Sequence, residues 1–469
     1  MRAVSHRSGW RGEARALLAL SGPIVLTDLG QVAIQTTDVV MIGWLGREAL
    51  AASVLGVNVS FVLLLFSIGV VAATSPMIAQ DLGRQRHAVR EPRRTVRQGI
   101  WMAFLLGVPA SVILWQIAPI LTLFRQDPAL IGEAEAYVHA AMWGFVPALW
   151  FVVLRNFIAA LERPRAGMVV MFIGVAFNAV ADYGLIFGAF GLPALGLQGA
   201  GIATALSNVI LCAGLLGFIL LDRRFRRYHV LGRLWRPDWS RLREIFRIGL
   251  PIGVTLIMEV GLFATSGFLI GAMSTTQLAA HQIALQCASV SFMVPLGLGQ
   301  AATVRVGLAA GRSDPAGVLR AGTTALIIGS TFMLVMALVI WTVPRAIVGL
   351  FIDAADPANA SVVHAAVGFL AIAALFQIFD GGQVIGAGAL RGLKDTRWPM
   401  IFAALAYWVV GIGFAVGLGF GAGLGGLGVW IGLALSLAVA ACLMIARFYV
   451  LQGRTGERAR RLAASSGLA

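Results

Sequence analysis

Residues 50–84, LAASVLGVNVSFVLLLFSIGVVAATSPMIAQDLGR, align without a gap on 278–312, LAAHQIALQCASVSFMVPLGLGQAATVRVGLAAGR, at a shift of 228 residues. The match pairs Leu50 with Leu278, Gly69 with Gly297, Gly83 with Gly311 and Arg84 with Arg312. The same shift sets Gly22-Pro23-Ile24 against Leu250-Pro251-Ile252, and GLQGAGIA at 196–203 answers GLGGLGVW at 423–430 at a shift of 227. Three matches in order at nearly constant offset mark an internal duplication, so the chain folds as two related halves.

What is duplicated is apolar. The chain is 59% hydrophobic and 12% charged, with a mean hydropathy of +0.87, more apolar surface than a soluble domain can bury. A membrane-spanning helix takes roughly 20 apolar residues. Runs of that kind fall at 16–43, 50–75, 98–120, 134–160, 167–190, 197–221, 245–272, 278–304, 319–342, 361–390, 399–420 and 424–449. Six spans per half return the chain to its starting side, so both halves cross in the same orientation. The expected fold is an all-α integral membrane protein, with twelve transmembrane helices in two six-helix lobes. A pseudo-two-fold along the membrane normal relates the lobes around a central cavity, the architecture of alternating access. The boundaries are an N-lobe at 1–221, a basic cytoplasmic linker at 222–244, a C-lobe at 245–450 and a cytoplasmic tail at 451–469.

The net charge of +15 is a matter of topology. With the N-terminus placed in the cytoplasm, 32 of the 36 Lys and Arg fall on that side, six of them in 84–97 and nine in 223–247. Arg47, Arg125 and Arg345 lie outside that set, and Arg155 lies within a span. The positive-inside rule then puts both termini of this multi-pass membrane protein in the cytoplasm. Nucleic acid is not an expected partner; the 223–247 connector is suited to anionic membrane lipid. The basic N-terminus lacks a cleavage site, so the first apolar run is read as a retained helix and not a signal peptide. Cys212, Cys287 and Cys442 lie singly in apolar runs and read as small core hydrophobes.

Against this background the internal charges stand out: Asp28, Asp38, Arg155, Asp182, Glu259 and Asp380. An ionisable group at bilayer depth costs roughly 2.5–3.5 kcal/mol on insertion scales, so these face a bundle interior or a wet cavity. In LSGPIVLTDLGQVAIQTTDVVMIGWLG, at 20–46, the spacing of Asp28, Gln31, Gln35 and Asp38 places all four on one helical stripe. Asn178 and Asp182 stand four apart in FNAVADYG, on one face. With Asp38 they offer oxygen ligands to a proton or a small cation, since hard cations prefer carboxylate and amide oxygens. Glu259 lies in LPIGVTLIMEVGLF, and Asp380 lies in ALFQIFDGGQVIGAGALRG between Gln377 and Gln383. Gln282 sits beside His281 at the start of a span. The plain alternative for each acid is a helix–helix hydrogen bond or a partner for Arg155. The glycine-rich segments follow no strand and so are not phosphate loops; they permit close helix packing. Pro23, Pro147, Pro251 and Pro295 lie in or at the start of spans, where they bend helices.

The motifs PIVLTDLGQVAIQTTDVVMIGWLG, LRNFIAALERPR at 154–165, GLPIGVTLIMEVGLF, LAAHQIALQ at 278–286 and ALRGLKDTRWPM at 389–400 occur here in order. On them the chain resembles the multidrug and toxic compound extrusion (MATE) transporters, most like the bacterial NorM-type branch, over nearly its whole length. The resemblance implies efflux of cationic drugs and other xenobiotics in exchange for H⁺ or Na⁺. By motif position, Asp38, Asn178 and Asp182 match the N-lobe cation site, and Glu259 and Asp380 the C-lobe acids. These five are the candidate Na⁺ ligands, with Gln35, Gln282 and Gln377 as further site candidates. No cofactor beyond the coupling ion is expected, no catalytic residue, and a monomer is expected. Three rival readings fit the residues less well. A lipid-linked-sugar flippase calls for a basic cavity, and a membrane enzyme for clustered His and carboxylates. A channel fits the hydropathy but not the isolated acids of a duplicated carrier.

Overall fold

In a computed structural model the described residues are 9–85, 88–353 and 356–465, with side chains through Gly453. The arginines counted above before residue 9, at 86 and beyond 453 therefore lie outside the described side chains. Among the described residues all regular structure is helical, and twelve helices are long and apolar enough to cross a membrane. They are α1 (Trp10–Gly43), α2 (Arg47–Arg84), α3 (Arg90–Trp115), α4 (Pro128–Ala160), α5 (Arg165–Phe187), α6 (Gly196–Leu221), α7 (Trp239–Met273), α8 (Thr275–Gly311), α9 (Pro315–Thr342), α10 (Pro357–Gly392), α11 (Arg397–Gly421) and α12 (Gly426–Gly453). Each coincides with one of the twelve apolar runs.

Several helices outrun the apolar run that announced them. At 1.5 Å per residue, roughly 20 residues cross the hydrocarbon; α2 has 38 and α8 has 37. After turn residues Ala72 and Ala73, α2 continues as Thr74–Arg84, an amphipathic stretch with Gln80 and Asp81 buried. Apolar periodicity ends where a buried polar residue has a partner, so such extensions are invisible to hydropathy. Pro23, Pro251 and Pro295 lie inside continuous α1, α7 and α8, and Pro109 inside α3.

By packing, the chain divides into two compact units: Gly22–Gly253, and Met1–Ser21 with Val254–Ala469. The first unit holds most of α1, all of α2–α6 and the first turns of α7. The second holds the first turns of α1 and everything from Val254 onward. The segment 222–238 packs onto the first unit. Trp101 Nε1 donates to the Leu234 carbonyl at 2.6 Å, and the Asp238 amide donates to Gln98 Oε1 at 3.0 Å. Phe225 and Tyr228 bury their rings against Phe157, at 6.1 and 5.2 Å between centroids. The Arg94 guanidinium bonds Asp238 and holds its carboxyl below the usual carboxylate range.

An ion pair fastens a helix start in each unit. In the first, Arg241 of α7 bonds Asp81 of α2, and its Nε donates to Thr95 Oγ1 at 3.0 Å. In the second, Arg305 of α8 makes a bidentate contact with Glu13 of α1, at 2.7 and 2.6 Å. In the second unit α8 and α10 meet through glycines. A Cβ at Gly388 would lie 2.3 Å from the Gly299 carbonyl oxygen, and Thr303 Oγ1 bonds the Gly388 carbonyl at 2.8 Å. That close approach brings the polar residues of α10 up against the core built on Trp430, Tyr407, Phe369 and Phe376.

Candidate functional site

In the first unit, Asp38 lies five residues before the end of α1, and Asn178 and Asp182 share one face of α5. Small residues let α6 close on this pair: a Cβ at Gly199 would meet the Leu185 carbonyl oxygen of α5 at 2.4 Å. Thr204, one turn on, thereby reaches Asp38. Asn178 Nδ2 donates to Asp38 Oδ1 at 3.0 Å, and Thr204 Oγ1 lies 3.2 Å from Asp38 Oδ2. Thr204 also faces the Ala200 carbonyl at 3.0 Å, and one hydroxyl proton cannot serve both acceptors fully. The Tyr137 phenol of α4 is in reach of Thr204.

Asn178 and Asp182 are 0% exposed, and the Asp182 carboxyl sits beside that of Asp38. Asn178 Oδ1, Asp182 Oδ1 and Asp182 Oδ2 are buried with no hydrogen-bond partner. All three are acceptors. Buried acceptors without a donor are costly; a small cation would satisfy all three, and a proton the carboxylate. None of Asp38, Asp182, Glu259 and Asp380 forms a salt bridge among the described residues. Arg155 is engaged elsewhere, with its Nη1 2.7 Å from Asp28 Oδ1.

In the second unit, Glu259 of α7 and Asp380 of α10 line one cavity of about 200 Å³ with Phe263, Phe292, Met293 and Phe376. Gln383, one turn beyond Asp380, holds both acids: its Nε2 donates to Glu259 Oε1 at 3.0 Å and faces Asp380 Oδ1 at 3.4 Å. Tyr407 donates in turn to Gln383 Oε1 at 3.0 Å. It lies in the π-helical stretch Ala404–Gly411 of α11, whose wider turn re-aims side chains and often marks functional sites. Gln377 is buried; its Oε1 accepts from Ser291 at 2.6 Å and its Nε2 has no partner.

The candidate residues therefore fall into two groups, Asp38–Asn178–Asp182 in the first unit and Glu259–Asp380–Gln377 in the second. Among the described residues no three His, Cys, Asp or Glu cluster as a metal site; oxygen from Asn178 and Thr204 completes the first group. Gln35 and Gln282 are exposed and join neither group. His281 is buried against Trp430, with ring centroids 5.5 Å apart. Thr204, Tyr137 and Tyr407 were not singled out by sequence. A hydroxyl in an apolar helix is ordinary until its neighbour is known. A wider recess of about 500 Å³, lined by Trp115, His139, Trp143 and Gln198, lies apart from these acids.

The MatE family model matches the chain twice, over residues 23–184 and 251–416. The chain belongs to the MatE family. The two matches begin 228 residues apart, the same shift as the repeat, so each half of the chain carries one MatE unit. Among curated relatives, a "Probable multidrug resistance protein NorM" of Mesorhizobium japonicum is 50% identical over 403 residues, 86% of each chain. One of the same description from Brucella suis is 45% identical over 409 residues, 87% of each chain. Two solved structures share the MatE fold at TM-score 0.84. The eukaryotic MATE transporter AtDTX14 is 22% identical and covers 97% of this chain and 99% of its own. An outward-facing multidrug resistance MATE transporter of the MOP superfamily is 20% identical and covers 94% and 96%.

Proposed function

We propose that this MatE protein is a multidrug efflux antiporter, exporting lipophilic organic cations and other xenobiotics in exchange for H⁺ or Na⁺. The observation that carries the reading is the group of three partnerless buried acceptor oxygens on Asn178 and Asp182 beside Asp38. Carboxylate, amide and hydroxyl oxygens are the donor set a hard cation takes, and the same carboxylates take a proton. No step needs a cofactor. The second group is suited to cargo: two acids and three phenylalanines line the Glu259–Asp380 cavity, offering charge and aromatic faces to a lipophilic cation. Ion and drug bind the two access states with different affinities, so uptake of the ion drives release of the drug.

The NorM proteins named above are described as multidrug resistance proteins, which supports this cargo class. The arginine-rich segments 84–97 and 223–247 support an orientation with both termini cytoplasmic in the bacterial inner membrane, and a monomer is the working unit. The test is ethidium efflux from proteoliposomes with ΔpH and ΔpNa imposed one at a time. Asp182→Asn and Asp38→Asn are expected to lower ion-driven efflux by about 5- to 150-fold, the span of coupling free energies of 1–3 kcal/mol. Glu259→Gln combined with Asp380→Asn is expected to weaken drug affinity. Undiminished gradient-driven efflux in all three variants refutes the proposal.

A further inference from the structure

The first unit carries six arginines in 84–97 and nine in 223–247, and the structure shows which of them acids neutralise. Asp238 and Glu91 bond Arg94. Asp81 and Glu244 bond Arg241, and Asp81 also lies 3.9 Å from Arg84. Arg93 and Arg97 of α3 and Arg233 of the connector form no salt bridge among the described residues, yet they are gathered together. Burial and the charges of Arg93 and Arg233 act against the charge of Arg97, and Asp238 offsets only part of this. The Nε atoms of Arg93 and Arg97 are buried without a hydrogen-bond partner.

Two further observations show that this crowding is built in. Arg97 bonds the carbonyls of Gly232 and Arg233, the latter at 3.3 Å, so a guanidinium of α3 holds the connector in place. Arg233 itself has φ of 59°, a left-handed conformation that costs a non-glycine residue energy and persists only where its surroundings impose it. Guanidinium groups held close together suit an anion that can accept from several of them.

We infer that Arg93, Arg97 and Arg233 form a binding site for the phosphate group of an anionic phospholipid. A phosphate supplies acceptor oxygens to several guanidinium groups at once. The bilayer, and not free phosphate, is the source because large apolar side chains stand exposed among the arginines here. Trp235 is 73% exposed, Trp239 69%, and Leu231 is exposed as well. Tryptophan beside arginine at the end of membrane spans anchors at the headgroup level, where each cation near an anionic surface strengthens attraction. The inference stands apart from the transport reading, since none of these residues belongs to either acid group.

The test uses the full-length chain purified in detergent and titrated with dioleoyl-phosphatidylglycerol, dioleoyl-phosphatidylcholine or sodium phosphate, with bound lipid counted by native mass spectrometry. Arg93→Gln combined with Arg233→Gln keeps the Arg97 contacts that hold the connector, and unchanged helix content by circular dichroism verifies the fold. Phosphatidylglycerol affinity is expected to fall about 5-fold for each arginine removed, the effect of one charge near an anionic surface. Phosphatidylcholine binding and the control Arg345→Gln are expected to show no such fall. Equal loss in Arg345→Gln, equal retention of both lipids, or unchanged phosphatidylglycerol affinity in the double variant overturns the inference. Displacement of the lipid by millimolar sodium phosphate reassigns the site to soluble phosphate and overturns it too.

Discussion

Asp28 and Asp38 stand ten residues apart on α1, and only Asp28 meets a guanidinium. Its pair with Arg155 is largely buried, at 2.7 Å. Removing one partner of such a pair leaves a buried charge uncompensated, which costs about 3–5 kcal/mol. Arg155→Ala is therefore expected to lower the thermal unfolding midpoint sharply, with Arg155→Ala/Asp28→Asn recovering part of the loss in a double-mutant cycle. Asp38 and Asp182, by contrast, face each other without a cation side chain, and that difference separates the acid of a structural pair from the two proposed to bind the ion. The acids themselves were legible because a charge inside an apolar run is conspicuous. Their division of labour was not, since the helical stripe placed Asp28, Gln35 and Asp38 together while the fold leaves Gln35 exposed. Positions 35 and 38 differ by about 60° around a helix, enough to turn one side chain to the neighbouring helices and the other away. Thr204, Tyr137 and Tyr407 owe their roles wholly to tertiary neighbours, which a single sequence does not contain.

At the scale of the helix, glycine decides how near two polar stripes come. Gly299 and Gly388 let α8 and α10 touch backbone to backbone, and Asp380 and Gln383 lie on the same α10 eight and five residues before that contact. Gly388→Val is expected to force α10 away and destabilise the second unit by about 1–3 kcal/mol, the usual cost of overpacking, with a lowered midpoint in thermal unfolding. The accompanying fall in drug affinity separates displacement of α10 from a purely local defect. The twelve helices were legible because a membrane-crossing run is long and apolar. Their ends were not, because Thr74–Arg84 and the start of α7 are polar segments buried through ion pairs. The π-helical turns of α11 left no mark in hydropathy, since a wider turn changes hydrogen-bond register and not composition.

At the scale of the whole molecule, the repeat governs. Glu13 and Arg241 stand 228 residues apart, at the shift of the repeat, and carry opposite charges; Arg241 bonds Asp81 in the final stretch of α2, and Glu13 bonds Arg305 in the final stretch of α8. Glu13→Lys or Arg305→Glu alone is expected to cost about 3–5 kcal/mol, the penalty of breaking a buried pair. The two together are expected to restore most of it, read as the unfolding midpoint by fluorescence-detected size exclusion. Failure of the double variant to recover would show that the pair is held by shape and not by charge. The inverted polarity also marks how far the two repeats have drifted. At the shift of 228, Asp81 answers Ala309 and Arg305 answers Met77, so a doubled first half would offer Glu13 no basic partner and a doubled second half would offer Arg241 no acid. At these two places each half is written for its counterpart and not for a copy of itself.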